Sequence, residues 1–375
     1  MRMKNLFFAL AACAMLASCA KKNGQDNELT MVAGTYTDTG SEGLYSFRFN
    51  QETGEFSLLD SCRVESPSYL TFSADGSKIY AISEIADSLS CVTALTFNKT
   101  SGAFSVLNSE STNGSPCYIA TNGKIAVTAN YGGGSMSVLP IADDGTVRPL
   151  ATLIHGNIGG PDSLRQNLPH IHCTEFSPDG NHLYVSDFSA DQLLCFNISN
   201  GGCSISPMTN GNGEPYTVPV RTDYGPRHIV FDKSGNHLYL VGELSGCITV
   251  FDRDTCGFLS EKQIIDADPY DGRASADIHI SPDGHFLYSS NRRQGDGIAI
   301  FDIDADSGIQ TELGYQPTAM HPRHFNITPN GKYVLVSCRD SNRIEIYNRD
   351  IKTGFLSPSK QSITLQKPVC VQFAP

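Results

Sequence analysis

The sequence contains no tryptophan, and positive charge is scarce: 27 lysine and arginine residues stand against 39 acidic residues, giving a formal net charge of −12. A nucleic-acid-binding surface needs clustered lysine and arginine that neutralise phosphates, and no stretch of this chain alternates basic with aromatic residues. The composition therefore argues against a nucleic-acid partner. The lack of tryptophan also weakens the case for a stacking platform for long glycans, although tyrosine can take its place.

Paired cysteine motifs are also missing, because none of the twelve cysteines forms a Cys-x-x-Cys pair. So many cysteines in an exported chain would suggest disulfides. Most, however, lie inside strand-like runs, where a small apolar side chain suits tight packing. These are Cys91, Cys117, Cys173, Cys195, Cys247, Cys338 and Cys370. We expect most of the cysteines to be buried thiols and none to hold zinc.

The N-terminus has an apolar run, residues 6–16, that is too short to span a bilayer as a helix. Two positive charges precede it and Leu-Ala-Ser-Cys19 follows, an order that resembles a bacterial lipoprotein signal. The alternative is an ordinary secretory signal with an incidental cysteine. We expect residues 1–18 to be a signal peptide, Cys19 to be lipidated, and residues 19–28 to be a flexible tether. Residues 29–375 would then form one exported domain, attached to the membrane only through its lipid.

A unit of strand-like runs recurs along the chain, and its clearest copy is residues 225–260. Within it, residues 228–232, 237–243 and 247–252 are rich in branched and aromatic residues and are bounded by turn residues, and a fourth run begins at Phe258. Because the first run leads to a tight turn and the second returns from it, the start of one and the end of the other share an edge of the sheet.

The turn glycines of the repeat give its period. They are Gly76, Gly123, Gly180, Gly235, Gly284 and Gly331, spaced about 47 to 57 residues apart, near the upper end of the range for propeller blades. The chain from Leu29 supplies three strands without the first, and Pro368–Phe373 supplies a first strand with nothing after it. We therefore predict an all-β, seven-bladed β-propeller with four antiparallel strands per blade, closed by the C-terminal strand joining the N-terminal blade. We expect it to be a monomer.

Charged residues concentrate on the edge where first strands start and second strands end. The starts carry His170, His172, Arg227, His228, His279, Arg323 and His324, and the ends carry Glu84, Asn130, Asp187, Glu243, Asn291, Arg292 and Arg339. Two cations and a carboxylate, Arg227, Arg292 and Glu243, have little structural use there unless an anion binds. His172 adds a group that can exchange protons near neutrality. For the repeated histidines, hydrogen bonding between blades is an equally good explanation.

Two inserts, residues 150–168 and 205–224, run into the start of a first strand and should overhang this edge as walls of a pocket. The glycine-rich stretch 130–135 has no following Lys-Ser or Lys-Thr and opens no helix, so it does not fit a phosphate-binding loop. An inter-strand turn is the better interpretation.

Several motifs together resemble the lactonase family of seven-bladed propellers. They are Gly34-Thr35-Tyr36-Thr37, Asn130-Tyr131 with its glycines, His170-x-His172, Gly225-Pro226-Arg227-His228, Glu243-Leu244, Ser290-Asn291-Arg292 and Pro322-Arg323. That family includes one class of 6-phosphogluconolactonase and the metal-independent 3-carboxy-cis,cis-muconate lactonising enzyme. The resemblance implies that His172, Arg227, Glu243 and Arg292 are catalytic. His170, His228, Asn130 and Arg323, on the same edge, are the predicted substrate-binding residues.

The function expected from this resemblance is hydrolysis of a small anionic sugar lactone. Two alternatives stay open: cyclisation of an unsaturated dicarboxylate, and an exported propeller that binds a ligand or protein without turnover. We expect no cofactor and no metal, because the arginines on this edge would repel a divalent cation. A zinc site formed by His170, His172 and His228 is the remaining alternative.

Overall fold

The computed structural model describes residues 27–86 and 89–375, which form seven sheets around a central axis. The first blade holds β1 (Glu28–Thr35), β2 (Gly43–Asn50) and β3 (Phe56–Arg63), and the second holds β4 (Leu70–Phe72), β5 (Lys78–Ile82), β6 (Cys91–Phe97) and β7 (Phe104–Ser111). The third holds β8 (Tyr118–Thr121), β9 (Ile125–Asn130), β10 (Ser135–Pro140) and β11 (Thr152–His155). The fourth holds β12 (Ile171–Phe176), β13 (His182–Asp187), β14 (Gln192–Ser199), β15 (Ser204–Pro207) and the extra strand β16 (Thr217–Pro219).

The remaining blades follow the same plan. The fifth holds β17 (Pro226–Phe231), β18 (His237–Gly242), β19 (Cys247–Arg253) and β20 (Leu259–Asp266), and the sixth holds β21 (Ile278–Ile280), β22 (Phe286–Asn291), β23 (Gly297–Ile303) and β24 (Gln310–Pro317). The seventh holds β25 (Pro322–Ile327), β26 (Tyr333–Cys338), β27 (Arg343–Arg349) and β28 (Leu356–Thr364). The last strand, β29 (Pro368–Phe373), belongs to the first blade. Short 3₁₀ helices span Phe188–Ala190, Asn200–Gly202 and Arg339–Ser341.

The ring is closed by β29, which pairs antiparallel with β1 from Met31↔Phe373 to Thr35↔Pro368. The C-terminal strand therefore becomes the innermost strand of the N-terminal blade. This confirms the predicted seven-bladed fold and its closure. It also leaves neither end of the array with an unpaired inner edge.

In every blade except the first, whose innermost strand is β29, the chain turns sharply between the first two strands. In the fifth blade Gly235 has a φ of 74°, a left-handed conformation that glycine adopts without a steric penalty. The turn returns the chain so that Pro226 of β17 pairs with Gly242 of β18. Residues on either side of that pair therefore meet at one edge, as the sequence predicted.

The core lies between the blades. Every residue of the second strands β9, β13, β18, β22 and β26 is buried, because both faces of these strands pack against neighbouring blades. The outer strand β20 has the pattern of a surface strand, mostly exposed along its length. No helix within the described residues has the length and apolar character to cross a membrane.

The two long inserts behave differently. Residues 150–168 reach the cavity at the predicted edge, where Arg165 lies in its lining. Residues 205–224 instead add β16 to the fourth blade by pairing with β14, and Asp223 forms an ion pair with Arg273. The prediction that both inserts wall a pocket is thus right for the first, while no residue of the second lines this cavity.

Candidate active site

A cavity of about 500 Å³ opens at the edge where the inner strands begin. The described residues that line it are Glu84, Cys117, Tyr131, Arg165, His172, Arg227, Glu243, Arg292, Arg293, His321, Arg323, Arg339 and Asp340. All four residues predicted to be catalytic are among them. They come from the fourth, fifth and sixth blades, which are consecutive in the ring, so packing between neighbouring blades brings them together.

Glu243 is the centre of the arrangement. It directly follows β18 and is 5% exposed, and three guanidinium groups contact its carboxylate. Arg165 Nη2 lies 2.6 Å from Oε1, Arg227 Nε lies 2.9 Å from Oε2, and Arg292 Nη2 lies 3.3 Å from Oε1. Backbone carbonyls hold two of these arginines in turn: Arg227 donates to Ala276 O, and Arg292 Nε donates to Ala274 O at 2.8 Å.

The arginines decide the protonation state of Glu243. Burial alone would raise the pKa of this carboxyl, but Arg292, Arg227 and Arg165 outweigh it and hold the pKa well below its ordinary value. Glu243 is therefore an anion at neutral pH and can accept a proton.

His172 lies beside Glu243, with Nε2 3.8 Å from Glu243 Oε2, and is 5% exposed. Burial, reinforced by Arg227 and His228, keeps the pKa of His172 well below its ordinary value. The imidazole is therefore neutral near pH 7. Cys117 Sγ lies 3.7 Å from its other ring nitrogen, Nδ1, and donates to the backbone carbonyl of His172 at 3.3 Å.

The sixth and seventh blades contribute a cationic rim, defined here as Arg292, Arg293, His321 and Arg339. His321 lies between two of its arginines: Nε2 is 3.3 Å from Arg292 Nη1, and Nδ1 is 3.2 Å from both Arg339 Nη2 and Asp340 Oδ2. Burial and the flanking arginines lower the pKa of His321 to about 3, so the ring is neutral.

One carboxylate fixes the backbone of this rim. Arg293 and His321 have left-handed φ values of 75° and 63°, which are strained for residues with a side chain. Asp296 Oδ1 accepts both of their backbone N–H groups, at 2.9 and 3.1 Å. Asp296 therefore stabilises a backbone conformation that aims two polar side chains at the cavity.

The seventh blade also contributes a cation, Arg323, which is neutralised by residues of the first and second blades. Arg323 Nη2 lies 3.1 Å from Glu84 Oε2, and the Tyr36 hydroxyl donates to the same oxygen at 2.9 Å. The Arg323 guanidinium also lies over the Tyr36 ring, 5.5 Å from its centroid. Arg323 is thus in the cavity as predicted, in an ion pair rather than free.

The charge of the cavity is opposite to that of the whole chain. Six arginines line it against three carboxylates, Glu84, Glu243 and Asp340, and both of its histidines are neutral. The formal charge of the chain is −12. Concentrating positive charge in a concave site lined by buried groups favours an anionic ligand.

Three predicted substrate-binding residues do not line the cavity. Asn130 is fully buried, and its amide donates to Ser135 and Ser137 within the third blade. His170 stacks on Tyr131, with ring centroids 4.1 Å apart, and its Nδ1 lies 2.6 Å from the Tyr131 carbonyl. Asn130 therefore has a structural role, and His170 supports Tyr131, which does line the cavity.

His228 is the third of these residues: it is buried outside the cavity lining and belongs to a cluster around Asp277. Its Nδ1 lies 2.7 Å from Asp277 Oδ1, while His279 and His324 place Nε2 atoms 3.0 and 3.6 Å from Oδ2. Burial would raise the pKa of Asp277, but His279, His324 and His228 hold it well below its ordinary value. The structure shows the hydrogen bonding between blades that the sequence left open for His228, which bonds to Asp277 of the next blade, and for His324, which accepts from Val371 N–H, whereas His279 bonds to Asp277 of its own blade.

The same cluster is the one group of potential metal ligands among residues 27–86 and 89–375, namely Asp277, His279 and His324. The hydrogen bonds argue against a metal, because Val371 N–H donates to His324 Nδ1 at 3.3 Å. A neutral His324 must then carry its proton on Nε2, the atom that faces Asp277. The predicted alternative zinc set, His170, His172 and His228, does not form such a group among the described residues.

Sequence reasoning missed Arg165 and Asp277. Arg165 lies in an insert without periodicity, and the only available signal was that the insert should overhang the charged edge. Asp277 directly precedes β21, inside the predicted repeat, but it was not among the residues singled out at strand starts. Cys19 and the predicted signal and tether lie outside the described residues, apart from the last two tether positions.

Comparison with known proteins agrees with this geometry. The family model for the seven-bladed β-propeller lactonases matches residues 30–373. A solved structure from Bacteroides uniformis, a candidate 6-phosphogluconolactonase, is 48% identical and covers 92% of this chain and 99% of that chain, with a TM-score of 0.89. The 6-phosphogluconolactonase of Bacillus subtilis is 30% identical over 356 residues, which is 91% of this chain and 97% of the relative.

A third similar protein is a periplasmic enzyme. The periplasmic gluconolactonase of Pseudomonas aeruginosa is 27% identical, and its structure covers 93% of this chain and 99% of that chain with a TM-score of 0.85. The resemblance inferred from the sequence motifs is confirmed. Because the match runs from the first blade through the ring-closing strand, this chain belongs to the lactonase family of seven-bladed β-propellers.

Proposed function

We propose that the protein hydrolyses a small anionic sugar lactone, a reaction of the 6-phosphogluconolactonase type. The observation that carries this proposal is Glu243, a buried carboxylate kept deprotonated by arginines in a cavity with an excess of positive charge. Proton acceptors beside preorganised cations are what ester hydrolysis requires. The names of the similar proteins support the same reaction class.

In the proposed mechanism Glu243 or His172 takes a proton from water as its oxygen attacks the lactone carbonyl carbon. Arg227 and Arg292 stabilise the oxyanion of the tetrahedral intermediate through charge-assisted hydrogen bonds. The ring C–O bond then breaks, and the departing alkoxide receives the proton from the base. The product is an open-chain hydroxy acid, and the other end of the substrate points to Arg293 and Arg339 of the cationic rim.

The test is a panel of lactones, including 6-phosphoglucono-1,5-lactone and glucono-1,5-lactone, assayed by acid release with wild type and Glu243→Gln. We expect wild type to hydrolyse at least one of them and the variant to lose about a hundredfold or more in kcat, the scale of general-base catalysis. Carboxymuconate, followed by its ultraviolet absorbance, tests cyclisation in the same experiment. Binding of 6-phosphogluconate without turnover of any lactone would favour a non-catalytic binding protein and refute the hydrolase.

Catalysis is proposed to need no metal, because Arg227 and Arg292 supply the electrophilic groups. Activity should survive prolonged EDTA treatment. Activity that is lost on chelation and restored by calcium or zinc would overturn the assignment of these two arginines.

We further propose that the protein is an exported, monomeric lipoprotein anchored through Cys19. The signal-like order of residues 1–19 supports this, as does the similarity to a periplasmic gluconolactonase. Labelled palmitate should be incorporated into wild type but not into Cys19→Ala. Equal labelling of the two proteins, or none in wild type, would contradict the anchor, and light scattering of the purified domain would test its monomeric state.

A further inference from the structure

We propose that Arg165 makes the site selective for anionic substrates: without ligand it pairs with Glu243, and an entering anion draws it away and so frees Glu243 to act as the base. This inference rests on the proposed function, and it concerns a residue outside the four predicted catalytic positions.

Arg165 differs from the other two arginines around Glu243 in how it is held. Its side chain is 27% exposed, against 2% for Arg227 and 6% for Arg292. The buried pair also donate to backbone carbonyls of residues 274–276. Arg165 makes no such bond within residues 27–86 and 89–375; besides Glu243 it contacts the Tyr131 hydroxyl at 3.5 Å and lies 5.4 Å from the Phe188 ring centroid. Arg165 is therefore the one of the three that can leave Glu243 without stranding a buried cation.

The backbone that carries Arg165 is firmly anchored. The neighbouring Gln166 side chain is 2% exposed and donates to Phe188 O at 3.0 Å and to Asp191 Oδ1 at 2.8 Å. Its Oε1 accepts from Asp162 N at 3.1 Å, and Asp162 also pairs with Arg273 at 3.0 Å. The exchange we propose is thus a swing of one side chain from a fixed base, with no opening of the insert.

The electrostatics give this swing a chemical consequence. The charged and titratable groups around Glu243 are Arg165 from the insert, Tyr131 after β9, His170 before β12, His172 of β12, Arg227 of β17, Arg292 after β22 and Arg323 of β25. With three guanidiniums on it, the Glu243 carboxylate is a weak base. Removing one of them raises its pKa and its basicity. An anionic substrate supplies the charge that attracts Arg165, whereas a neutral lactone does not.

Two variants separate this role from a structural one. Arg165→Ala removes the mobile cation, and Arg165→Lys keeps the positive charge but loses the planar guanidinium group, which can form two parallel hydrogen bonds. Arg273→Ala is the matched control, because Arg273 anchors the same insert through Asp162 without contacting Glu243. All variants are checked for wild-type thermal unfolding before comparison.

Two measurements are made on each protein. Calorimetry with 6-phosphogluconate measures anion binding and needs no turnover. The pH dependence of kcat/KM, with 6-phosphoglucono-1,5-lactone and glucono-1,5-lactone, measures selectivity and the apparent pKa of the base.

We expect Arg165→Ala to weaken 6-phosphogluconate binding about tenfold and to reduce the preference for the phosphorylated over the neutral lactone by a similar factor, the scale of one hydrogen bond to a charged group. Its acid limb of kcat/KM should move to higher pH, because Glu243 loses a cation. Arg165→Lys should give values of anion affinity, lactone preference and acid limb between those of wild type and Arg165→Ala. Arg273→Ala should match wild type in all three.

Two results would show that Arg165 only holds Glu243 in place. The first is unchanged binding of 6-phosphogluconate in Arg165→Ala. The second is an equal loss of kcat/KM with both lactones, with the acid limb of the pH profile unshifted. If wild type hydrolyses no lactone, the proposed function fails while the binding comparison still decides the role of Arg165. Failure of wild type to bind 6-phosphogluconate overturns the inference as well.

Discussion

Glu243 shows how a single residue acquires its chemistry from its neighbours. Its position after β18 follows from the strand repeat, and the turn at Gly235 brings it within 2.9 Å of Arg227. Both residues, together with His172 and Arg292, could be placed from the sequence because each stands at a strand end. Arg165 could not, since strand periodicity says nothing about where a side chain from a loop will lie.

Glu175 is the opposite case to Glu243, because its surroundings favour the protonated form of the carboxyl group over the ionised form. It lies on β12 and accepts a hydrogen bond from the Tyr118 hydroxyl at 3.1 Å, and burial raises its pKa from 4.5 to about 7. A carboxyl whose pKa is raised on folding destabilises the folded protein once the pH exceeds its unfolded-state pKa, about 4.5 for Glu175. The penalty is absent below about pH 4.5, grows between pH 4.5 and 7, and is complete above pH 7.

Glu175→Gln should therefore stabilise the protein at about pH 8 by roughly 2 kcal/mol and have a much smaller effect at about pH 5. Glutamine keeps an acceptor for the Tyr118 hydroxyl, and no residue lining the cavity is altered. Urea unfolding at the two pH values measures the difference. Equal effects at both, or destabilisation at the higher pH, would show that Glu175 is not a strained anion in the folded state.

At the scale of elements, the loops that follow the second strand of each blade set the shape of the site. The blades themselves were predictable, because the repeat and its turn glycines recur at a nearly constant spacing. The cationic rim was predictable only in part: Arg292 and Arg339 stand at strand ends, but the left-handed conformations of Arg293 and His321 depend on Asp296, a residue with no signal of its own.

Asp296→Ala tests whether the function of the cationic rim depends on the backbone conformation that Asp296 stabilises. Losing the acceptor of two strained N–H groups should let Arg293 and His321 relax, and kcat/KM for a phosphorylated lactone should fall about tenfold. The matched control is Asp304→Ala, which removes an aspartate that accepts Ser307 N at 2.8 Å in an exposed turn after β23 of the same blade. Equal activity of the two variants would mean that the rim does not depend on Asp296.

At the scale of the whole molecule, function depends on ring closure. The cavity takes residues from blades far apart in sequence, such as Glu84 and Arg323, which meet only because the array is circular. Closure was predictable from an incomplete first blade and a lone C-terminal strand. The net charge of −12 gives no hint that the cavity carries excess positive charge, but the arginines at the starts and ends of strands did predict it.

Removing residues 368–375 should abolish cooperative folding. It deletes β29, exposes the edge of β1 and leaves buried partners of Val369, Cys370 and Val371 uncovered. Deleting only residues 374–375 keeps the β1–β29 pairing and should leave a soluble protein. Circular dichroism during heating and size-exclusion chromatography measure both, and a monomeric, cooperatively unfolding long truncation would contradict the role given to this strand.

The central claim is that the arginine-bound carboxylate in this cavity performs lactone hydrolysis, and Arg227→Ala tests it most directly. Arg253→Ala is the control: Arg253 also lies in the fifth blade, but it pairs with Asp179 instead of a residue that lines the cavity. With thermal unfolding checked for both, kcat/KM is measured on the lactone that wild type cleaves fastest. The account predicts a loss of at least about tenfold for Arg227→Ala and little change for Arg253→Ala, whereas unchanged hydrolysis in folded Arg227→Ala would contradict it.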